Sequence, residues 1–340
     1  MANVITFGEI MLRLSPDSGT RLFQNDRLTA TFGGAEANVA VSLANFGESV
    51  AFVSKLPENP VGNGALAALR AFGVDTAFVA RGGERVGVYF MEKGASQRGS
   101  VCVYDRKNSA IAEATAADFD WDSIFAGADW FHFTGITAAL SDGCAALCKA
   151  ACKTAKAKGL TVSCDLNYRK KLWSKEKAQA VMTELCAFVD VCIANEEDAK
   201  DVFGIAAPGS DVEGGKLSKD GYCAVAKELR DRFGFNKVAI TLRSSFSADD
   251  NDWAALLYDG NDFCFSKTYH LHIVDRVGGG DSFGAGLIYA LRRGDDTQNA
   301  VEFAVAASAL KHSIEGDFNR VSVAEVEALK NGDGSGRVKR

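Results

Sequence analysis

Short apolar runs that read as strands alternate with stretches that read as helices along most of this chain, and this alternation limits the possible folds more than any other feature. The segment Asn3 to Ile10 reads as a strand, "GGAEANVAVSLANFG" as a helix ending at Gly47, "ESVAFVSKL" as a strand and "NGALAALRAFG" as a helix. The rhythm resumes with "DWFHFTGI", "DGCAALCKAACKTAKAKG" and "LTVSCDLN", then with "DVCIAN", "EEDAKDVFG", "GYCAVAKELRDRFG" and "KVAITLR". Successive strands separated by a helix need crossover connections. The pattern therefore predicts an α/β fold with a central, mostly parallel sheet covered by helices on both faces.

Two regions interrupt the alternation. Residues from about Leu12 to Phe32 and from about Arg85 to Arg106 show short extended runs with no helix between them. "RVGVYFMEKG" and "GSVCVYDR" read as a hairpin around the polar turn "GASQRG". A β excursion from an α/β body is a candidate lid, its two pieces folding side by side. The rest reads as one domain over about residues 1–330, with a surface loop at "APGSDVEGGKLSKDG" and a frayed tail over 331–340.

Apolar residues make up 47% of the 340, enough for a large core, and the net charge of -6 argues against nucleic-acid or anionic-membrane partners. The start lacks the basic lead and apolar run of a signal peptide. Nine cysteines without paired spacings fit free thiols in a reducing compartment, so a cytoplasmic location is expected. Cys144, Cys148 and Cys152 share one helix face without metal-ligand spacing and read as core thiols.

Any anionic ligand must then be held locally. No GxxxxGK[ST] loop is present: Gly215–Lys216 is followed by Leu217, and Ser210 stands where the first glycine should be. No GxGxxG follows the first strand. What remains is "VGGGDSFGAG", where Gly278, Gly279 and Gly280 precede Asp281 at a helix start. Bare amides and a helix N-terminus suit an anion. The aspartate reads equally as an ordinary helix cap or as a base set beside a phosphate nest. Three further clusters fall where a parallel sheet gathers its ligand-binding edge: Asp165, Asn167 and Arg169 in "CDLNYR", Asn195, Glu196 and Asp198 in "ANEED", and Gly33, Gly34 and Asn38 in "FGGAEANVA".

Taken together, "GGAEAN", "DLNYRKKLW", "DRVGGGDSFGAG" and "AASALKHSIEGDFN" resemble the PfkB family of ribokinase-like sugar kinases over nearly the whole chain. The resemblance implies an ATP-dependent kinase in which Asp281 is the general base and the amides of Gly278, Gly279 and Gly280 stabilise the transferring phosphoryl group. It implies that Asn167 and Arg169 reach phosphate or substrate, and that Asn195 and Asp198 position Mg²⁺ through water. It places Thr241, Arg243 and Asn319 near the nucleotide, whereas Ser308 and Lys311 fit an ordinary helix face as well. A monovalent cation such as K⁺ and a homo-oligomer are further implications. Two departures stand out: Gly279 replaces the family's usual alanine, and Asp198 stands where a glutamate is usual.

Within the family, the lid segment "VGVYFMEKGASQR…VYDRKNSA", "GEIMLRLSP" and "DLNYRKKLW" resemble the members that act on a sugar acid, and the resemblance implies 2-dehydro-3-deoxygluconate, phosphorylated at its 6-hydroxyl, as the substrate. Gly33, Gly34, Asn38 and Asp281 would contact the sugar, with Arg169 near it. The carboxylate calls for a directional cation, supplied by Arg106 with Tyr89 and Tyr104 beside it, although each tyrosine fits a half-buried strand position equally well. A neutral ketose such as fructose is the alternative substrate. A non-enzymatic sensor of the same fold would not need Asp281.

Overall fold

The computed structural model describes residues 2–195, 197–206 and 218–336. In chain order its strands are β1 (Val4–Phe7), β2 (Met11–Ser15), β3 (Thr29–Gly33), β4 (Val50–Leu56), β5 (Val79–Arg81), β6 (Val88–Glu92), β7 (Val101–Asp105), β8 (Trp130–Thr134), β9 (Thr161–Asp165), β10 (Val191–Asn195), β11 (Lys237–Ser245), β12 (Asp250–Tyr258), β13 (Phe263–Phe265) and β14 (Tyr269–His272). The main sheet runs β13-β12-β11-β10-β9-β8-β1-β4-β5, with β14 also on β12. From β11 to β5 every pairing is parallel. The edge formed by β12, β13 and β14 is antiparallel.

The central strands are apolar without alternation, as burial on both faces requires: every residue of β1 and β8 is buried. Helices cover each face and give two large clusters of buried side chains, one on either side of the sheet. Cys144, Cys148 and Cys152 lie buried in one of them, and all nine cysteines are free thiols. Chain order places the site. After β1 the chain moves outward through β4 and β5, then returns to β8 on the other side of β1 and proceeds through β9, β10 and β11. The switch point lies between β1 and β8, and a crevice opens there at the carboxyl ends of the strands.

The second sheet, β3-β2-β6-β7, is the expected lid. The β6–β7 hairpin is antiparallel, and β2 lies parallel to β6, which joins the two excursions. One face carries Met11, Arg13, Tyr89, Met91, Cys102 and Tyr104; the other carries Leu14, Phe90, Val101 and Val103. Glu196 and most of the Gly- and Ser-rich loop fall outside the described residues.

Candidate active site

A cleft of about 380 Å³ lies between the sheet edge and the first of these lid faces. At its base the helix Gly279–Arg293 begins with Gly278 as its cap, in the left-handed region (φ 84°). A Cβ there would come within 2.1 Å of the Asp317 carbonyl oxygen, so both the torsion and the close approach require glycine. Ser308 Oγ donates to the Gly279 carbonyl (2.7 Å), and Gly279 N–H donates to the Arg276 carbonyl (3.2 Å). That second bond closes the turn and corrects one expectation. The Gly279 amide is already used, so the nest consists of the first-turn amides of Gly278, Gly280 and Asp281, with Gly278, Gly280 and Asp281 lining the cleft.

Asp281 is the third residue of that helix, and Asn38 Nδ2 donates to its Oδ2 at 2.6 Å. Asn38 Oδ1 in turn accepts from Gly34 N–H (3.2 Å), which fixes the amide orientation. Loss of solvent pushes the Asp281 carboxyl up to about 6; the Asn38 hydrogen bond opposes this, and nearby Asp317 adds to it. Asp281 therefore caps no N–H of its own helix with its side chain. It is aimed across the cleft toward the "GGAEAN" helix, Ala35–Asn45.

Asp165, Asn167, Arg169, Asn195, Asp198, Thr241 and Arg243 also line the cleft, from β9, β10, β11 and the turns that follow. Asn195 Oδ1 accepts from the N–H groups of Glu197 (2.8 Å) and Asp198 (2.9 Å). Asp198 accepts from the N–H groups of Asn195 (3.2 Å) and Tyr168 (2.9 Å). Burial raises the Asp165 and Asp198 carboxyls, and Asp198 and Asp281 raise Asp165 further by repulsion. A hydrated divalent cation would relieve that repulsion, and the set fits one held through water. Among the described residues no three histidine, cysteine or acidic side chains converge to hold a metal alone.

Opposite this acidic corner stand Arg243 and Arg276. Burial and repulsion from Arg243 lower the Arg276 guanidinium, an arrangement that an anion between them would stabilise. Arg276 lies inside "DRVGGGD", and its pairing with Arg243 exists only after folding.

Under the lid the structure adds a partner that the sequence does not show. Arg106 does line the cleft, but its fork is not free: Nε donates to Glu9 Oε2 at 2.7 Å, and Nη2 reaches the same oxygen. Ser109 Oγ donates to Glu9 Oε1 (2.6 Å), so Glu9 has a partner on each oxygen. The guanidinium also lies 5.4 Å from the Tyr104 ring centre. Tyr89 and Tyr104 stack at 5.9 Å, and Tyr89 Oη donates to Asp317 Oδ2 at 2.5 Å. Arg13 holds the other oxygen of Asp317 (2.8 Å) together with Asp275 (2.7 Å). Glycine is also needed at Gly33, where a Cβ would meet the Asp317 carboxyl at 2.0 Å.

Asn319 does not reach the cleft. It is buried; Nδ2 donates to Ser282 Oγ (2.7 Å) and Oδ1 accepts from Val321 N–H (3.2 Å), so its side chain is committed to packing. Ser308 and Lys311 are likewise buried and turned toward the nest, away from any exposed helix face. Glu36, inside "GGAEAN", likewise acquires its partners only in the fold. Its carboxyl accepts from Thr134 N–H (2.9 Å), Thr134 Oγ1 (2.8 Å) and Thr137 Oγ1 (2.6 Å), tying the two sides of the switch point. Burial pushes it up to about 7.

A parallel sheet with a covering lid, an amide nest and a carboxylate base facing the same cleft is the arrangement of a small-molecule phosphotransferase. The chain belongs to the pfkB family of carbohydrate kinases, whose family model matches residues 1–319. It is 51% identical to 2-dehydro-3-deoxygluconokinase of Thermotoga maritima, a solved structure that superposes with a TM-score of 0.93 over 97% of this chain and 98% of that one. It is 33% identical to 2-dehydro-3-deoxygalactonokinase of Haloferax volcanii over 98% of both chains. It is 26% identical to 5-dehydro-2-deoxygluconokinase of Clostridium tetani over 91% of this chain and 86% of that one. The chain is thus a sugar kinase with the ribokinase-like fold.

Proposed function

We propose that the chain transfers the γ-phosphoryl group of ATP to the 6-hydroxyl of 2-dehydro-3-deoxygluconate, giving ADP and 2-dehydro-3-deoxy-6-phosphogluconate. The observation that carries the reading is the placement of Asp281. Its carboxyl opens on the nest that would hold the transferring group, Asn38 fixes one oxygen, and the other is left to accept a proton. As the sugar oxygen bonds to phosphorus and the bond to the ADP oxygen breaks, that proton passes to Asp281. Charge on the phosphoryl oxygens is met by the nest amides and by Arg243 and Arg276. Asn167 and Arg169 stand between the acidic corner and the lid, placed to contact phosphate and sugar in turn. Thr241 and Arg243, which line the same cleft, would face the nucleotide.

Two of these relatives are named for 2-dehydro-3-deoxy sugar acids that differ at C4, the gluconate and galactonate forms, and the third for 5-dehydro-2-deoxygluconate. A coupled assay with ATP and both epimers, fructose and other ketoses tests the reading. Turnover of 2-dehydro-3-deoxygluconate above all others is expected; preference for fructose would replace the sugar acid with a neutral ketose, and no turnover of any sugar would favour a sensor.

Asp165, Asn195 and Asp198 would hold Mg²⁺ through water, and the ion would neutralise phosphate charge. Because these groups already serve their own backbone, the ion should come and go with the nucleotide. Equilibrium dialysis of the nucleotide-free protein is expected to show only millimolar-range binding. A tight stoichiometric ion would contradict this. K⁺, implied by the resemblance, would need oxygen ligands beside the nest, where the carbonyls of Asp275 and Ile314 already hold an ammonium group.

A homodimer joined through the lid sheets fits the outer lid face, where Phe23, Val101 and Val103 are 73%, 44% and 49% exposed. Sedimentation velocity should find a dimer, and Val103→Asp a monomer. Free thiols throughout, with no helix among the described residues long and apolar enough to cross a membrane, support a cytoplasmic location.

A further inference from the structure

Lys311 ends the helix Thr297–Lys311 and is the one buried lysine among the described residues, fully withdrawn from solvent. Its Nζ donates to two main-chain oxygens, those of Asp275 (3.5 Å) and Ile314 (3.1 Å). These carbonyls belong to the two loops that frame the nest. Asp275 lies three residues before Gly278. Ile314 lies three before Asp317, whose carbonyl crowds Gly278. The lysine stem itself passes behind the cap: a Cβ on Gly278 would lie 3.2 Å from Lys311 Cε.

Burying an ammonium is costly, and its position behind the positive end of a helix adds repulsion. Asp275 and Asp317 offset this, but Arg13 already bonds both. An apolar side chain of equal length would fill the space without that cost. What the ammonium adds is a tie between two loops and a fixed positive charge behind the site of phosphoryl transfer.

Building on the kinase reading above, we propose that the Lys311 ammonium is a resident monovalent cation. It holds the Asp275 and Ile314 carbonyls and charges the back of the nest, so that the enzyme works without a dissociable K⁺.

The test compares K⁺, NH₄⁺ and tetramethylammonium chlorides at equal ionic strength. The natural protein should give one kcat and one melting temperature in all three. Lys311→Ala opens the position to small cations. It should lose about tenfold or more in kcat in tetramethylammonium, which is too large to enter, and recover most of it in K⁺ or NH₄⁺. Its melting temperature should rise with the same two ions. Lys311→Met refills the volume without charge and should stay slow in every salt; it decides the matter if the alanine variant fails to fold. The melting series needs no sugar, so it still decides if the natural protein phosphorylates none, an outcome that would remove only the functional reading. A natural enzyme that requires K⁺, a methionine variant at full rate, or an alanine variant indifferent to the salt would overturn the proposal.

Discussion

Asp281→Asn is expected to lower kcat by about 10²–10⁴-fold, the range that general-base catalysis contributes, while ATP still binds and the protein melts no earlier. Asparagine keeps the volume and can still accept from Asn38 Nδ2, so the local geometry survives. Stability should in fact rise at neutral pH. The folded carboxyl is pushed up to about 6 from an ordinary value of 3.8, so the native state binds the proton more tightly than the unfolded chain. Its contribution to stability is therefore greatest below about pH 4, falls as pH rises toward 6 and is lost above. The amide never carries that desolvated charge. The same shift sets the natural enzyme's acidic limb: kcat/KM should rise with pH to a plateau, with its midpoint near 6. Asn38→Ala removes the hydrogen bond that favours the ionised form and should move the midpoint upward. A variant that melts early yet turns over normally would reduce Asp281 to a structural cap.

Much of this site was readable because it depends on local chemistry. Three glycines before an aspartate at a helix start mark a candidate nest, and the clusters gathered at the same sheet edge favour a base over a cap. The ends of "VSCD" and "CIAN" are strand ends because a parallel sheet makes them so. What stayed hidden depends on partners far apart in the chain. Nothing near Arg106 reveals Glu9, 97 positions away, and nothing near Tyr89 reveals Asp317, 228 away. Arg276 was in plain view but acquires meaning only opposite Arg243. The antiparallel edge stayed hidden because β11 and β12 are joined by a short turn over residues 246–249, which breaks the strand–helix rhythm that organises the rest. The setting of Asn319 stayed hidden for a simpler reason. A polar side chain in a motif resembles a ligand until its hydrogen bonds are seen to be spent on Ser282 and Val321.

Arg106→Leu should lower kcat/KM for 2-dehydro-3-deoxygluconate by roughly 10- to 1,000-fold and change the slow turnover of fructose far less. The estimate takes a charge-assisted hydrogen bond as about 1.5–3 kcal/mol, more when a buried charge loses its partner, with about 1.4 kcal/mol per factor of ten. Glu9 complicates the reading, since it is 3% exposed and bonded to the same guanidinium. Removing one partner of such a pair commonly costs about 3–5 kcal/mol, so the single variant should also melt several degrees earlier. Glu9→Gln in the same chain removes the stranded charge and should restore most of the melting temperature. The two roles then separate. Glu9 engages Nε and one edge of the fork, leaving Nη1 without a bond to Glu9, beside Tyr104 and Arg169 in the cleft. If that edge receives the substrate carboxylate, the double variant will be stable yet still discriminate poorly between the sugar acid and fructose. If the double variant regains its preference for the acid, Arg106 serves to neutralise Glu9 beneath the lid, and the carboxylate must be bound by Arg169 instead.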